Sequence, residues 1–162
     1  MQHGISGQLV DSKLRYAAAI NAAAVTEGVS PALLYAIAYR ETIAGEHLGF
    51  WIASSIISAD GGHGLCQITS PPIPRAWSDP LTNATFAVRD FIRPALALWS
   101  PRFAGDALVK LVACSYNEGY GAALYWHGRG DADRGTTDHY GAAVLAYYTA
   151  LVAGDDLATA LA

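Results

Sequence analysis

The sequence predicts a mainly α, single-domain protein. Three observations carry that prediction: apolar residues recur at helical spacing, β-branched runs are short, and glycines and prolines fall between the periodic segments. A chain of 162 residues has the size of one domain. With 52% hydrophobic and 15% charged residues it has the material for a real core and too little charge for a disordered chain. No internal repeat and no second domain is read.

The first helix is expected over residues 7–27. Leu9, Leu14, Ala17, Ala18, Ile20, Ala24 and Val25 form its apolar stripe, and Gly28 is its stop. Ser30 caps a second helix that has Pro31 in its first turn. Leu33, Leu34, Ile37 and Ala38 are apolar on more than one face, so this helix is expected to be central, ending by Gly45. Residues 45–80 are rich in glycine and proline and read as irregular, and so long a loop in one domain is usually functional. Within it, residues 51–57 read as a short strand, a short helix or a flap. A third helix is expected over 80–98, with Asp79 as cap and a kink or break at Pro94. A fourth is expected over 105–117, and a short helix follows through Trp126. Residues 128–137 read as loop, the last helix as 138–152, and the tail from Gly154 as loosely held.

Several functions are disfavoured at once. Net charge is −4 and no basic run occurs, so nucleic acid is not an expected partner. No apolar run reaches 18 residues, so no membrane insertion is expected. Residues 1–7 lack the basic-then-apolar pattern of an export signal. Localisation is left open between cytoplasm, release by another route and a piece cut from a longer protein. Cys66 and Cys114 read as two buried small hydrophobes rather than a disulfide. No metal or other cofactor is expected. Asp131, Asp133 and Gly135 faintly outline a calcium loop, but a third oxygen ligand and the distant glutamate are missing.

Glu41 is the most informative residue. It closes the apolar helix that begins at Pro31, just ahead of the glycine-rich stretch Asp60-Gly-Gly-His-Gly-Leu-Cys-Gln67. Burial and the negative end of a helix dipole both disfavour its charged form. A carboxylic acid that keeps its proton near neutral pH is what a general acid needs to break a glycosidic bond.

Three segments in order carry a family likeness: Arg40-Glu-Thr-Ile-Ala-Gly45, Gly64-Leu-Cys-Gln-Ile-Thr69 and Ala113-Cys-Ser-Tyr-Asn-Glu-Gly119. They resemble the catalytic-glutamate turn, the Gly-Leu-Met-Gln signature and the Ala-x-x-Tyr-Asn-Ala-Gly signature of goose-type lysozymes and soluble lytic transglycosylases. Thr42 stands for the usual serine, Cys66 for methionine and Glu118 for a small residue. The segment 135–140, leading into the last helix, resembles the C-terminal region of goose-type lysozymes. The likeness covers about residues 28–70 and 105–150, and the stretch between reads as helical filler.

The resemblance implies a lysozyme-like fold with a loop-rich flap over a cleft. It implies a muramidase that cuts the β-1,4 bond between N-acetylmuramic acid and N-acetylglucosamine. The expected partners are peptidoglycan strands or chito-oligosaccharides, and the expected state is a monomer. Glu41 gives the proton. Asp60 is the candidate base for water, or else a turn residue bonding its own backbone. An inverting pair stands about 6.5–9.5 Å apart. Glu46 and Glu118 compete for the role of base, each more naturally read as a solvated charge.

Gln67 suits an acetamido or hydroxyl group, or braces its loop. Tyr116 would hydrogen-bond Glu41, or pack in the core. Asn117 braces backbone or touches sugar, and Tyr140 lines the cleft or packs. His63 is included as a substrate contact, with a loose loop histidine as its alternative. Trp51 or Trp126 is the nearest stacking surface for sugar, whereas Trp99 reads as core. Two rival functions stay open. One is a lytic transglycosylase, in which Glu41 alone acts as acid and then base. The other is a silent glycan-binding or phage-tail module. A phage lysin, a secretion-system effector and a secreted enzyme lacking its leader all suit the reading.

Overall fold

The computed structural model describes residue 5 and residues 7–42, 57–69 and 72–155. The described residues fold into helices that share one core, with no strand among them beyond isolated bridges. Residues 51–56, expected as strand, helix or flap, lie outside the described residues, as does Glu46.

Helix α1 is Ala17–Glu27, ten residues shorter at its start than the sequence suggests. Local polar bonds take over before it. Asp11 accepts the N–H of Lys13 (2.9 Å), and Tyr16 turns the chain at φ 58°. The Asn21 amide clamps Val10, accepting its N–H and donating to its carbonyl, both at 3.0 Å. Leu9 and Val25, expected in the core stripe, are exposed, while Ala17, Ile20 and Ala24 are buried. Gly28 ends α1 at φ 70°, and the Val29 N–H reaches back to the Ala24 carbonyl (2.9 Å).

Helix α2, Pro31–Thr42, starts where the Ser30 hydroxyl accepts the Leu33 N–H. Every residue from Pro31 to Ala38 is buried, so α2 is the central rod that the sequence predicts. It packs against α1 and against the last helix, α7, Tyr140–Ala153.

The expected third helix divides into α3, Pro80–Ala87, a π-helical turn, Val88–Ile92, and α4, Arg93–Trp99. Asp79 caps α3 through the Thr82 N–H and hydroxyl. The π turn is how the chain accommodates Pro94. A wider turn with the Arg93 N–H bonded to the Val88 carbonyl places the proline in the first turn of α4, where no N–H is required. The same run carries Arg89 and Arg93 onto Glu27 (2.7 and 2.8 Å).

Helix α5 is Gly105–Glu118, and α6 is Tyr120–His127. Trp99 is fully buried, and its indole donates to Ser115 of α5 (2.9 Å). Cys66 and Cys114 are both free and buried. The expected loop 128–137 holds a short 3₁₀ turn, Ala132–Gly135, and a second follows at Thr137–His139. Asp138 and His139, expected inside the last helix, stand at φ 50° and 52°, so α7 begins at Tyr140. Asp133 belongs to no loose charged loop. It is 2% exposed and accepts the N–H groups of Gly141 (2.7 Å) and Ala142 (2.9 Å) at the start of α7. Among the described residues no cluster suited to a metal ion forms.

The depth of α2 gives a direct stability test. Ile37 is fully buried and Val25 is 61% exposed. Ile37→Ala is expected to cost about 2–5 kcal/mol in urea unfolding. Val25→Ala is expected to stay within about 0.5 kcal/mol.

Candidate active site

The site forms where the last turn of α2 meets a tight glycine-bearing turn. His63 and Ile68 exchange two backbone hydrogen bonds, both 3.0 Å, and enclose Gly64, Leu65, Cys66 and Gln67. Gly64 has φ 71°, and a Cβ there would lie 2.4 Å from Asn83 Nδ2 and 2.8 Å from the Trp77 carbonyl oxygen. Only glycine fits. Asn83, fully buried on α3, holds the turn from beneath. Its Oδ1 accepts the Cys66 N–H (2.8 Å) and its Nδ2 donates to the His63 carbonyl (2.9 Å). Thr42 ties α2 to the same turn, with its hydroxyl 3.1 Å from the carbonyl oxygens of both Ala38 and Leu65.

A cleft of about 510 Å³ opens above this junction. Glu41, Thr42, Ile57, Ser58, Ala59, Asp60, Gln67, Thr69, Tyr116 and Asn117 line it. Thus five of the sequence-predicted residues share one cavity: Glu41, Asp60, Gln67, Tyr116 and Asn117. A smaller lobe of about 310 Å³ adjoins it through Gln67, Thr69, Tyr116 and Asn117 and is walled by Phe91 and Glu118.

Burial of the Glu41 carboxyl pushes its pKa up to about 7. Opposing that rise, Tyr140 donates a hydrogen bond to Oε1 (2.5 Å), and the Arg40 charge favours ionisation. The Asp60 charge adds to the rise, so the two carboxyl groups sense one another. Arg40 also lies over the Tyr140 ring, 5.5 Å from its centre, and its Nε is buried with no hydrogen-bond partner among the described residues. Asp60 is the opposite case. It is exposed, and the hydrogen bond from the Ser58 hydroxyl, with one from the Gly62 N–H, holds its carboxyl below the usual range. At neutral pH one cleft therefore holds a carboxyl near half-protonation and a carboxylate that stays ionised.

The structure corrects several assignments. Tyr116 does not reach Glu41. Its hydroxyl donates to the Cys66 carbonyl (2.6 Å), and its ring packs on Phe91. The partner of Glu41 is Tyr140, which is buried behind the acid and does not line the cleft. His63 does not line the cleft. Its Nδ1 lies 3.3 Å from the Ile68 carbonyl oxygen, and its ring meets the edge of Trp77. Gln67 braces its loop, donating to the Gly64 carbonyl (2.8 Å) at φ 47°, while still facing the cleft. Asn117 accepts the Thr137 N–H (3.2 Å) and faces the cleft as well.

Glu118 is a helix-end charge at the close of α5, but half-buried: its Oε1 has no hydrogen-bond partner among the described residues, and burial raises its pKa. Trp126 lines neither lobe and packs on Tyr125. Trp51 lies outside the described residues. Asn83 and Phe91 come from the stretch read as filler. A lone asparagine in an apolar helix was the available signal for the first, whereas nothing local marked the second.

Two outcomes follow from this geometry. Asn83→Ala strands the buried Cys66 N–H, while the His63 carbonyl keeps the Ile68 N–H, so it should cost roughly 1–3 kcal/mol in denaturant unfolding. Glu41 works against the fold at alkaline pH. Its folded pKa of about 7 lies above the ordinary 4.5, so the native state holds a proton that the unfolded chain releases. Stability is thus lost as pH rises through that window. Glu41→Gln, which can still accept from Tyr140, should stabilise the protein at pH 8 by on the order of 3 kcal/mol and leave pH 4 stability nearly unchanged. Thermal unfolding at the two pH values checks this.

Against known proteins, the chain matches no protein-family model, and no curated protein matches it significantly.

Proposed function

We propose that this protein is a peptidoglycan-cleaving muramidase with a lysozyme-like fold of the goose-type and lytic-transglycosylase kind. The observation that carries the reading is the pair of carboxyl groups in one cleft whose proton affinities are pushed apart, Glu41 upward and Asp60 downward. Glycosidic cleavage asks for that division of labour. Glu41 donates its proton to the leaving sugar oxygen. The carboxylate left behind is steadied by the Tyr140 hydroxyl and by Arg40. Asp60, ionised and facing the same space, orients or activates the water that attacks the anomeric carbon. Gln67 and Asn117 offer amide groups to the acetamido and hydroxyl groups of the glycan.

One observation favours a second course at the same site. The Asp60 carboxylate is already engaged by Ser58 and Gly62, in the manner of an ordinary turn aspartate. Thr69 stands where goose-type lysozymes offer a further acid. In a lytic transglycosylase the muramic acid's own substituents close an anhydro ring, and Glu41 serves as acid and then base.

Mass spectrometry of the products released from purified peptidoglycan separates the two. Hydrolysis gives reducing-end muropeptides, and Asp60→Asn then loses most activity. Anhydro products, lighter by one water, with Asp60→Asn still active, establish the transglycosylase. In either case Glu41→Gln should lower kcat/KM by about 10²–10⁴-fold. The rate should fall as pH rises through about 7, where Glu41 gives up its proton. No release by the unmodified protein from any wall type would refute the proposal.

A further inference from the structure

We propose that Asp133 is a positioning residue for the general acid: by locking the first turn of α7 it holds the Tyr140 hydroxyl on Glu41. The inference rests on the reading of Glu41 as the acid, but its geometry stands independently. Asp133 lies on the 3₁₀ turn before α7 and is almost wholly buried. Its Oδ1 accepts the Gly141 N–H (2.7 Å) and the Thr136 hydroxyl (2.6 Å), and its Oδ2 accepts the Ala142 N–H (2.9 Å). Thr136 Oγ1 in turn accepts the N–H of Tyr140 itself (3.0 Å). The first three backbone N–H groups of α7 are thus fixed by one carboxylate and one hydroxyl.

That fixing matters because the chain just before Tyr140 runs through two residues at positive φ, Asp138 and His139. This is a conformation that side-chain-bearing residues rarely adopt. Ahead of the cap, Asn117 ties down the Thr137 N–H (3.2 Å), but among the described residues it is the cap that holds the first N–H groups of the helix itself. The Tyr140 ring spans from this turn to α2, where its hydroxyl meets Glu41 Oε1 (2.5 Å). Gly141 lets the turn sit close: a Cβ there would lie 2.5 Å from Cys114 Sγ. Lys110 of α5 lies 3.6 Å from Asp133 Oδ2 and supplies the compensating charge.

Among the described residues, Asp133 faces Lys110, Cys114 and Glu118 of α5, and Lys110 is shared with Asp131 (3.5 Å). Glu41 faces Tyr140 of α7, Asp60 of the loop and Arg40 of its own helix, with Tyr116 of α5 and Cys66 of the turn close by.

The test is the titration of the Glu41 side-chain carboxyl carbon by ¹³C NMR, which needs no substrate. Failure of peptidoglycan cleavage would therefore leave this result readable. Tyr140→Phe sets the scale: losing a donor to the carboxylate should move the midpoint up by about one pH unit. Asp133→Asn puts an NH₂ against the Ala142 N–H and Lys110, or else against the Gly141 N–H and Thr136. It should move the Glu41 midpoint up toward the Tyr140→Phe value, and no further when combined with Tyr140→Phe.

The sign discriminates. Removing a distant negative charge would by itself lower the midpoint, whereas loss of positioning raises it. If Asp133→Asn fails to fold, Thr136→Val, which removes only the hydroxyl between Asp133 and Tyr140, decides by the same readout. An unchanged or lowered midpoint in a folded variant, or a rise that persists undiminished in the Tyr140→Phe background, overturns the inference and leaves Asp133 a cap alone.

Discussion

Burial of the Glu41 carboxyl is the constraint around which the site is arranged. α2 is apolar almost throughout, so it must run through the centre of the molecule, and its end carries an acid to the floor of a cleft. Such a group is costly to ionise. The surroundings moderate that cost without removing it. A tyrosine 99 residues away donates to the carboxyl, and an arginine on the preceding residue adds positive charge. Burial outweighs both, and the proton is held to about pH 7. The fold gives up stability at alkaline pH by keeping a protonated carboxyl in the cleft.

The second layer of the site is built from buried polar groups with satisfied partners. Asn83 and Thr42 hold the Gly64 turn against α2 and α3, and Tyr116 pins it from α5. Each replaces a backbone partner that a tight, buried turn cannot find for itself. Because these bonds come from three helices, the position of Gln67 and the wall of the cleft depend on packing far from either.

Much of this was legible in the chain. Apolar periodicity located the helices, and Ser30, Pro31, Asp79 and Gly28 marked their ends, because capping is a local matter. The start of α1 was not legible, since Asn21 reaches eleven residues back to hold Val10 out of the helix. Pro94 announced a disturbance but not its form, a π turn that keeps the helical run continuous. At the site, Glu41, Gln67 and Asn117 could be named because short motifs carry them. The partner of Glu41 could not. The sequence pointed to Tyr116 as the donor and to Tyr140 only as a cleft or packing residue, and the packing of α7 on α2 selects Tyr140. Asn83 stood out only as a lone asparagine in an apolar helix and Asp133 only within a faint calcium-loop outline, and both owe their roles to tertiary contacts.

The central claim is that Glu41 holds its proton near neutral pH in the folded protein. The most direct measurement follows the Glu41 carboxyl carbon of the unmodified protein by ¹³C NMR from pH 3 to pH 9. The account predicts a midpoint near 7. A midpoint at the ordinary glutamate value near 4.5 would contradict it, leaving the cleft with two ionised carboxylates and no acid.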